Sequence, residues 1–317
     1  MKVLITGITG FVGSHLAESY LKDGAEVYGL IKTKSHLKHI KPFSDLLKLI
    51  EGNLLDPHSI DSAIKSICPD RVHHLGAQSF VPTSWISPAD TIQTNLIGTL
   101  NLFESIRRYS PETIVQIASS SEIYGNIKER RGITENDMPN PLSPYGVSKL
   151  AMDRLGYQYA MSHRLRIVVT RAFNHTGPRR GEQFVTSNFA KQIAEISLGK
   201  RMPVIEVGNL DAWRDWTDVR DVVIAYRLAV DHIYEYGIPF NIASGTPVLV
   251  EKMLGKLIEL SGKSIEVKLD KDRLRPSDIH YLEGDSTKFR EKTGWSPSIP
   301  FDVTLKDLLD YWIKNTI

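Results

Sequence analysis

A phenol and a primary amine stand four residues apart in Pro144-Tyr145-Gly146-Val147-Ser148-Lys149. On a helix that spacing places both on one face. A free tyrosine loses its proton only near pH ~10, and a neighbouring ammonium stabilises the phenolate. Tyr145 and Lys149 are therefore suited to accepting a proton from an alcohol while hydride leaves the same carbon. Ala118-Ser119-Ser120-Ser121-Glu122-Ile123-Tyr124-Gly125 adds hydroxyls and a carboxylate at the end of an apolar run. A serine there can hydrogen-bond the reacting oxygen, and Ser120 is assigned that place. In extended backbone Ser120 and Glu122 point to the same side.

Hydride chemistry needs a cofactor cradle, and one opens the chain. Thr6-Gly7-Ile8-Thr9-Gly10-Phe11-Val12-Gly13 lies between an apolar run and a helical pattern. Gly7 and Gly10 permit a sharp turn and close approach to a pyrophosphate, whose charge suits the free N–H groups of a helix start. Gly13 lets that helix pack against the sheet. Thr9, Phe11 and Val12 complete the turn. An acid after the second strand would bind ribose hydroxyls, whereas cations there favour a 2′-phosphate. This chain has Lys32 and Lys34 in Gly29-Leu30-Ile31-Lys32-Thr33-Lys34-Ser35. The expected cofactor is NADP, with NAD as the alternative.

These groups need a scaffold that brings strand ends together. Short apolar runs at Lys2–Thr6, Glu26–Ile31, Leu47–Glu51, Arg71–Leu75, Thr113–Ala118 and Arg166–Arg171 read as strands. Helical patterns at Phe11–Asp23, Pro57–Ser66, Pro88–Tyr109 and Pro144–Ser162 lie between them. The alternation predicts an α/β fold with a doubly wound parallel sheet, the Rossmann fold. After Phe173 the rhythm changes. A loop at Asn174–Gly181 precedes a helix near Val185–Leu198 and a strand near Val204–Val207, and an irregular stretch then runs through Asp218. The helix Val219–Asp231 and the strand Phe240–Ile242 return to the first unit, and a small lobe follows, ending in a helix over Val303–Lys314. The expected division is a nucleotide-binding domain over 1–173 with a returning segment at about 209–245. A smaller, mixed C-terminal substrate-binding lobe would comprise 174–208 and 246–317.

Composition narrows the class. The 317 residues include 39 Lys and Arg against 37 Asp and Glu. That near balance argues against a dedicated partner in nucleic acid or at a membrane surface. No apolar run approaches the roughly 18 residues that span a bilayer. Cys68 is the one cysteine, so no internal disulfide forms and a cytoplasmic location is expected. Adjacent histidines His73 and His74 would face opposite sides of a strand and could not share one ion. No metal is predicted.

In this order and at this spacing, the glycine-rich turn, Leu75-Gly76-Ala77-Gln78-Ser79, the Ser-Ser-Ser-Glu segment and Tyr145 with Lys149 resemble the extended short-chain dehydrogenase/reductase family, nucleotide-sugar branch. The likeness covers nearly the whole chain. Phe173-Asn174-His175, Arg179-Arg180-Gly181-Glu182-Gln183-Phe184-Val185-Thr186 and Ala77-Gln78-Ser79-Phe80-Val81 are similar to GDP-mannose 4,6-dehydratase. Thr217-Asp218-Val219-Arg220-Asp221 is similar instead to GDP-4-keto-6-deoxymannose reductase. The resemblance implies that Asn53 and Leu54 sit by the adenine, and that Leu75, Gly76, Ala77, Ser79, His175 and Arg180 line the cofactor side. It implies a nucleotide-sugar side formed by Ser79, Ser121, Asn174, Val185, Lys191, Arg214, Arg275 and Asp278, with the two arginines Arg214 and Arg275 on the diphosphate. A homodimer or homotetramer is implied, its bundle made by the helices at Leu100–Tyr109 and Pro144–Ser162 unless their apolar positions face the home sheet.

Glu122 separates the activities within this branch. Dehydratase resemblance implies that it works on C5 and C6 of a hexose after oxidation at C4 has acidified the C5 proton. A 4-reductase or 4-epimerase needs no such acid. The expected function is 4,6-dehydration of a GDP-hexose, GDP-mannose to GDP-4-keto-6-deoxymannose. The alternatives are NADPH-dependent reduction of that 4-keto product and nucleotide-sugar 4-epimerisation. Heptose and UDP-linked substrates stay open.

Overall fold

The structure, a computed structural model, describes residues 1–270, 273 and 279–316. The first half alternates strand and helix: β1 (Lys2–Thr6), α1 (Phe11–Lys22), β2 (Glu26–Ile31), β3 (Lys48–Glu51), α2 (Pro57–Ile67) and β4 (Arg71–His74). Next come α3 (Val81–Ile86), α4 (Pro88–Ile92), α5 (Gly98–Tyr109), β5 (Ile114–Ser120), α6 (Pro144–His163) and β6 (Arg166–Ala172). The second half holds β7 (Asn174–Thr176), α7 (Val185–Ser197), β8 (Val204–Val207), β9 (Trp213–Asp218), α8 (Val219–His232) and β10 (Pro239–Ile242). It closes with β11 (Pro247–Leu249), α9 (Val250–Ser261), β12 (Glu266–Leu269), β13 (Tyr281–Leu282), α10 (Thr287–Thr293) and α11 (Phe301–Asn315).

Seven strands form one parallel sheet in the order β10-β6-β5-β4-β1-β2-β3. This is the doubly wound Rossmann arrangement. The order reverses between β1 and β4, and ligands of such sheets bind beyond the strand ends at that point. Both faces are covered, which explains the near-continuous apolar strands. Val3 and Ile5 of β1 pack with Leu16, Ala17 and Tyr20 of α1. Leu4 points the other way, to Ile60 and Ile64 of α2 and to Leu102, Phe103 and Ile106 of α5. Each such buried Val, Leu, Ile or Phe side chain stabilises the fold by about 1.5–3 kcal/mol. The apolar positions of α5 thus face the home sheet, while Val147, Tyr157 and Met161 of α6 are exposed.

His73 and His74 leave opposite faces of β4, and both are fully buried. His73 Nδ1–H donates to Gln116 Oε1 at 2.9 Å, and its Nε2 accepts from the Tyr20 hydroxyl at 2.8 Å. His74 Nδ1 accepts from Thr6 Oγ1 at 2.8 Å, and its Nε2–H donates to Thr99 Oγ1 at 3.0 Å. Thr99 passes its own proton to the Asn95 carbonyl, so the donor and acceptor roles are self-consistent for neutral imidazoles.

Three expectations change. The loop expected at Asn174–Gly181 opens with strand β7. The helix expected over Pro88–Tyr109 contains a π turn at Gln93–Ile97 between α4 and α5. The stretch expected to be irregular through Asp218 is strand β9, the centre of a second sheet. β11 pairs with β9 antiparallel, while β13 and β7 pair with it in parallel. The buried Asp215 carboxylate accepts N–H bonds from Ser244, Gly245 and Gly284 at 2.8–3.0 Å. That set of long-range bonds lets a charged sequence run as a buried strand. Behind this sheet Phe189 and Ile193 of α7, Leu254 and Leu257 of α9, and Leu305 and Leu308 of α11 form a second core.

Candidate active site

The phosphate-binding turn follows β1, at the reversal of strand order. Gly7 has φ +72°, and a Cβ there would lie 2.9 Å from the Gly76 backbone nitrogen. Only glycine suits that conformation and that space. A Cβ on Gly13 would collide with the Gly7 carbonyl. Gly10 caps α1 without any side-chain acceptor, so the first N–H groups of the helix remain for an anion. Thr9, Phe11 and Val12 lie in this turn. Lys32 and Lys34, exposed after β2, pair with no acid among the described residues. Asn53 accepts the Leu55 N–H at 3.1 Å, and Leu54 packs against Gly76 and Gly98. Leu75, Gly76 and Ala77 follow β4 beside this turn. A dinucleotide with a 2′-phosphate fits this donor set.

A cavity of about 670 Å³ opens beside the cradle, between the strand ends of the large sheet and the second sheet. Ser120, Glu122 and Tyr145 share its wall. Their placement follows from local chemistry. The Ser143 hydroxyl accepts the Gly146 N–H at 3.0 Å and caps α6, with Pro144 at its first position. Tyr145 therefore sits in the first turn of that helix, and Lys149 lies one turn on. The Lys149 ammonium donates to the Ala118 carbonyl at 2.8 Å and lies 5.8 Å from the Tyr145 ring centre. Burial pushes the Lys149 amine down to about 8. Burial also pushes the Tyr145 phenol up to about 12, while the neighbouring Ser120 hydroxyl and the Arg180 charge oppose that rise.

The expected i, i+2 strand geometry of Ser120 and Glu122 does not occur. β5 ends at Ser120, and Ser121–Ile123 form a 3-10 turn. The Ser120 hydroxyl accepts the Glu122 N–H at 3.2 Å and closes that turn. Both side chains still reach the cavity wall. The π turn serves the same place. Asn95 Nδ2 donates to the Gln78 carbonyl at 3.0 Å and to Ser148 Oγ at 2.9 Å, joining the Leu75–Ser79 segment to α6. Functional sites are where π turns concentrate.

Arg180 lies between aromatic rings. Its guanidinium carbon is 3.5 Å from the Phe184 ring centre and 5.0 Å from that of Phe11. Phe11 in turn stacks on His175 at 6.0 Å. Burial, aided by the Arg180 charge, lowers His175 to about 4, so it is a neutral ring at ordinary pH. Its Nδ1–H donates to the Phe173 carbonyl at 2.9 Å.

Ser79, Ser121, Asn174, Val185 and Arg214 line the cavity. Lys191 does not: it is paired with Glu182 and lies 3.8 Å from Glu195 on its own helix. Arg275 and Asp278 lie outside the described residues. Sequence reasoning missed Trp216 as a site residue; its indole N–H is buried at the cavity without a partner among the described residues, as is the Asn174 side-chain oxygen. Asn174 and Trp216 are register partners between β7 and β9. Alternation on β9 turns Arg214 and Trp216 to one side, a signal that needed β9 to be seen as a strand. Phe80, Trp85 and Arg273 also line the cavity. No group of three metal-binding side chains occurs among the described residues, nor any helix long and apolar enough to cross a membrane.

Comparison with known proteins agrees with this geometry. The family model for GDP-mannose 4,6 dehydratase matches residues 4–308. The chain is 32% identical over 312 residues to GDP-6-deoxy-D-mannose reductase of Pseudomonas aeruginosa, covering 98% of this chain and 97% of that protein. It is 32% identical over 337 residues to human GDP-mannose 4,6 dehydratase, covering 96% and 90%. Among solved structures, RMD from Pseudomonas aeruginosa complexed with NADPH superposes with a TM-score of 0.85 at 30% identity, over 99% of both chains. The phosphate cradle, the Tyr145–Lys149 helix and these matches along the whole chain make it a member of the GDP-mannose 4,6 dehydratase family, an enzyme of the NAD(P)-dependent short-chain dehydrogenase/reductase class.

Proposed function

We propose that the protein is a 4,6-dehydratase that converts GDP-mannose to GDP-4-keto-6-deoxymannose. The observation that carries this reading is the carboxylate of Glu122 on the same cavity wall as Ser120 and Tyr145. Gly7, Gly10 and the start of α1, with Lys32 and Lys34, would hold NADP. When bound, it supplies the capacity to take up a hydride and return it.

The chain's own residues move the protons. Ser120 hydrogen-bonds the C4 oxygen, and Tyr145 accepts the C4 hydroxyl proton as the C4–H pair leaves as hydride. The Lys149 charge favours the phenolate. The C4 ketone acidifies C5, and Glu122 takes that proton and passes it to the C6 oxygen, which leaves as water. The sugar then recovers hydride at C6 and, at C5, a proton equivalent to the one Tyr145 took from the C4 hydroxyl, which returns the phenol to its starting state. The net change is loss of one water, with no net oxidation. Arg214 faces the diphosphate, where a guanidinium matches phosphate oxygens, and Asn174, Val185, Ser79 and Ser121 border the sugar.

A second reading, NADPH-dependent reduction of the 4-keto-6-deoxy product, is favoured by the match to the Pseudomonas aeruginosa reductase over 97% of its length. In that reaction Tyr145 donates a proton to the C4 oxygen and Glu122 is idle. One assay separates the two. GDP-mannose is incubated with enzyme and no reductant, and the keto sugar is followed. Turnover is the expected result. Its absence, with NADPH consumed when the keto sugar is supplied, would establish the reductase. Assembly into a homodimer through the exposed strip of α6 is part of the same reading, tested by light scattering.

A further inference from the structure

Beneath the active-site wall lies a buried polar chain that the proposed chemistry does not use. Asp153 and Arg171 are 0% and 1% exposed. Arg171 Nε–H donates to Asp153 Oδ2 at 2.8 Å and Nη2–H donates to Oδ1 at 3.2 Å, a two-armed pair. The third nitrogen, Nη1, donates to the Tyr124 hydroxyl at 2.8 Å. That hydroxyl donates to Asn241 Oδ1 at 2.8 Å, and Asn241 Nδ2–H donates to the Ile133 carbonyl at 2.9 Å.

The chain joins the two arms of the reactive group. Asp153 lies one helical turn beyond Lys149 and two beyond Tyr145, on the same face of α6. Tyr124 is two residues beyond Glu122. Arg171 lies in β6, in register with Ser119 of β5. The same turn touches α6 at its other end: a Cβ on Gly146 would lie 2.8 Å from the Glu122 carbonyl oxygen. The segment bearing Glu122 is thus held against the Tyr145 helix at two points, one by close contact and one by charge-assisted hydrogen bonds. Such bonds are directional, and a buried ion pair retained in a core is a candidate for specifying one arrangement.

We propose that Tyr124, held by Arg171 and Asp153, is a positioning residue that sets Glu122 relative to Tyr145. Its effect falls on the elimination of water and not on the oxidation at C4. This rests on the dehydratase reading above. Positioning errors of about 1 Å can slow a step on the order of 100-fold.

The test is Y124F in the full-length enzyme. Phenylalanine keeps the ring that stacks on Phe173 at 6.3 Å, and the Asp153–Arg171 pair stays intact. Three quantities are measured beside wild type. The first is exchange of the Glu122 amide hydrogen without substrate, expected to be about tenfold faster in the variant, with the Lys149 amide unchanged. The second is steady-state dehydration of GDP-mannose, expected to lose roughly 10- to 100-fold in kcat with KM altered less than about twofold. The third is single-turnover formation of reduced nicotinamide, expected to persist. Unchanged Glu122 exchange, or equal loss of oxidation and elimination, overturns the proposal. Wild type that makes no keto sugar sinks the dehydratase reading alone, since the amide exchange still reports on positioning. If Y124F does not fold, R171K takes its place, keeping a cation for Asp153 without the arm to Tyr124. Failure of both to fold makes the chain purely structural and also overturns the proposal.

Discussion

Ser120 and Glu122 are joined through a single capped turn: the serine hydroxyl accepts the glutamate N–H at 3.2 Å. The Ser120 hydroxyl, proposed to serve C4, also anchors from the end of β5 the start of the turn that carries Glu122. E122Q keeps the size and the capped backbone while removing the proposed base. We expect dehydration to fall by at least about 100-fold, the usual share of a positioned acid–base group. Reduced nicotinamide should still form on the enzyme with GDP-mannose. Water release at the wild-type rate in this variant would remove Glu122 from the mechanism.

Y145F should abolish both halves. In the proposed mechanism the phenol takes the C4 proton, so kcat/KM is expected to fall roughly 1,000-fold, within the range of general acid–base effects. No reduced cofactor should accumulate, which distinguishes this variant from E122Q. Circular dichroism and NADP binding should match wild type.

Lys149 gives a pH signature. Its amine is lowered to about 8 by burial, so the ammonium is present below that value and lost above it. In the proposed mechanism that charge supports the phenolate, and kcat/KM should therefore decline as pH rises through about 8. K149R retains charge and should carry this alkaline limb upward, whatever its effect on the absolute rate. A limb unmoved in K149R would assign it to another group.

Acid should weaken the fold through β4. His73 and His74 are lowered by burial to about 4 and about 3. The unfolded chain binds protons at both near pH ~6.5, while the folded one does not. Their contribution is therefore complete above that pH and is lost progressively as pH falls toward the folded values. The loss amounts to roughly 2 kcal/mol per histidine by pH 5. Urea melts at a series of pH values should show H73N to be less acid-sensitive than wild type.

Lys34 should decide between cofactors. K34E places a carboxylate where the second strand leaves two exposed amines. Affinity for NADP is expected to drop about tenfold, the scale of one charge-assisted bond, with NAD binding equal or better. Calorimetry with each nucleotide reads this directly. Equal loss for both would mean that Lys34 does not meet the 2′-phosphate.

Much of this architecture was legible because it is written in local patterns. β2 at Glu26–Ile31 and β8 at Val204–Val207 have the bounds their apolar runs suggest. Tyr145 and Lys149 share a face because four residues make one helical turn. The turn at Ser121–Ile123 was not legible, since Ser-Ser-Glu reads alike in strand and 3-10 helix until the Ser120 cap is known. β9 was hidden for a different reason. Arg214, Asp215, Trp216, Thr217 and Asp218 show no apolar alternation, and Asp215 is made bearable only by Ser244, Gly245 and Gly284. Lys191 faces Glu182 rather than the cavity, a choice made by one neighbouring loop residue.

β10 completes the large sheet by pairing with β6, yet it is made long after β6 in the order of synthesis. As the nascent chain leaves the ribosome, the dinucleotide cradle can close first, and the outer edge of β6 stays bare until Pro239–Ile242 emerges. Bare strand edges invite pairing with other chains. Chaperone demand during translation should therefore peak across residues 173–238, and stalling in that interval should be more harmful than stalling after it.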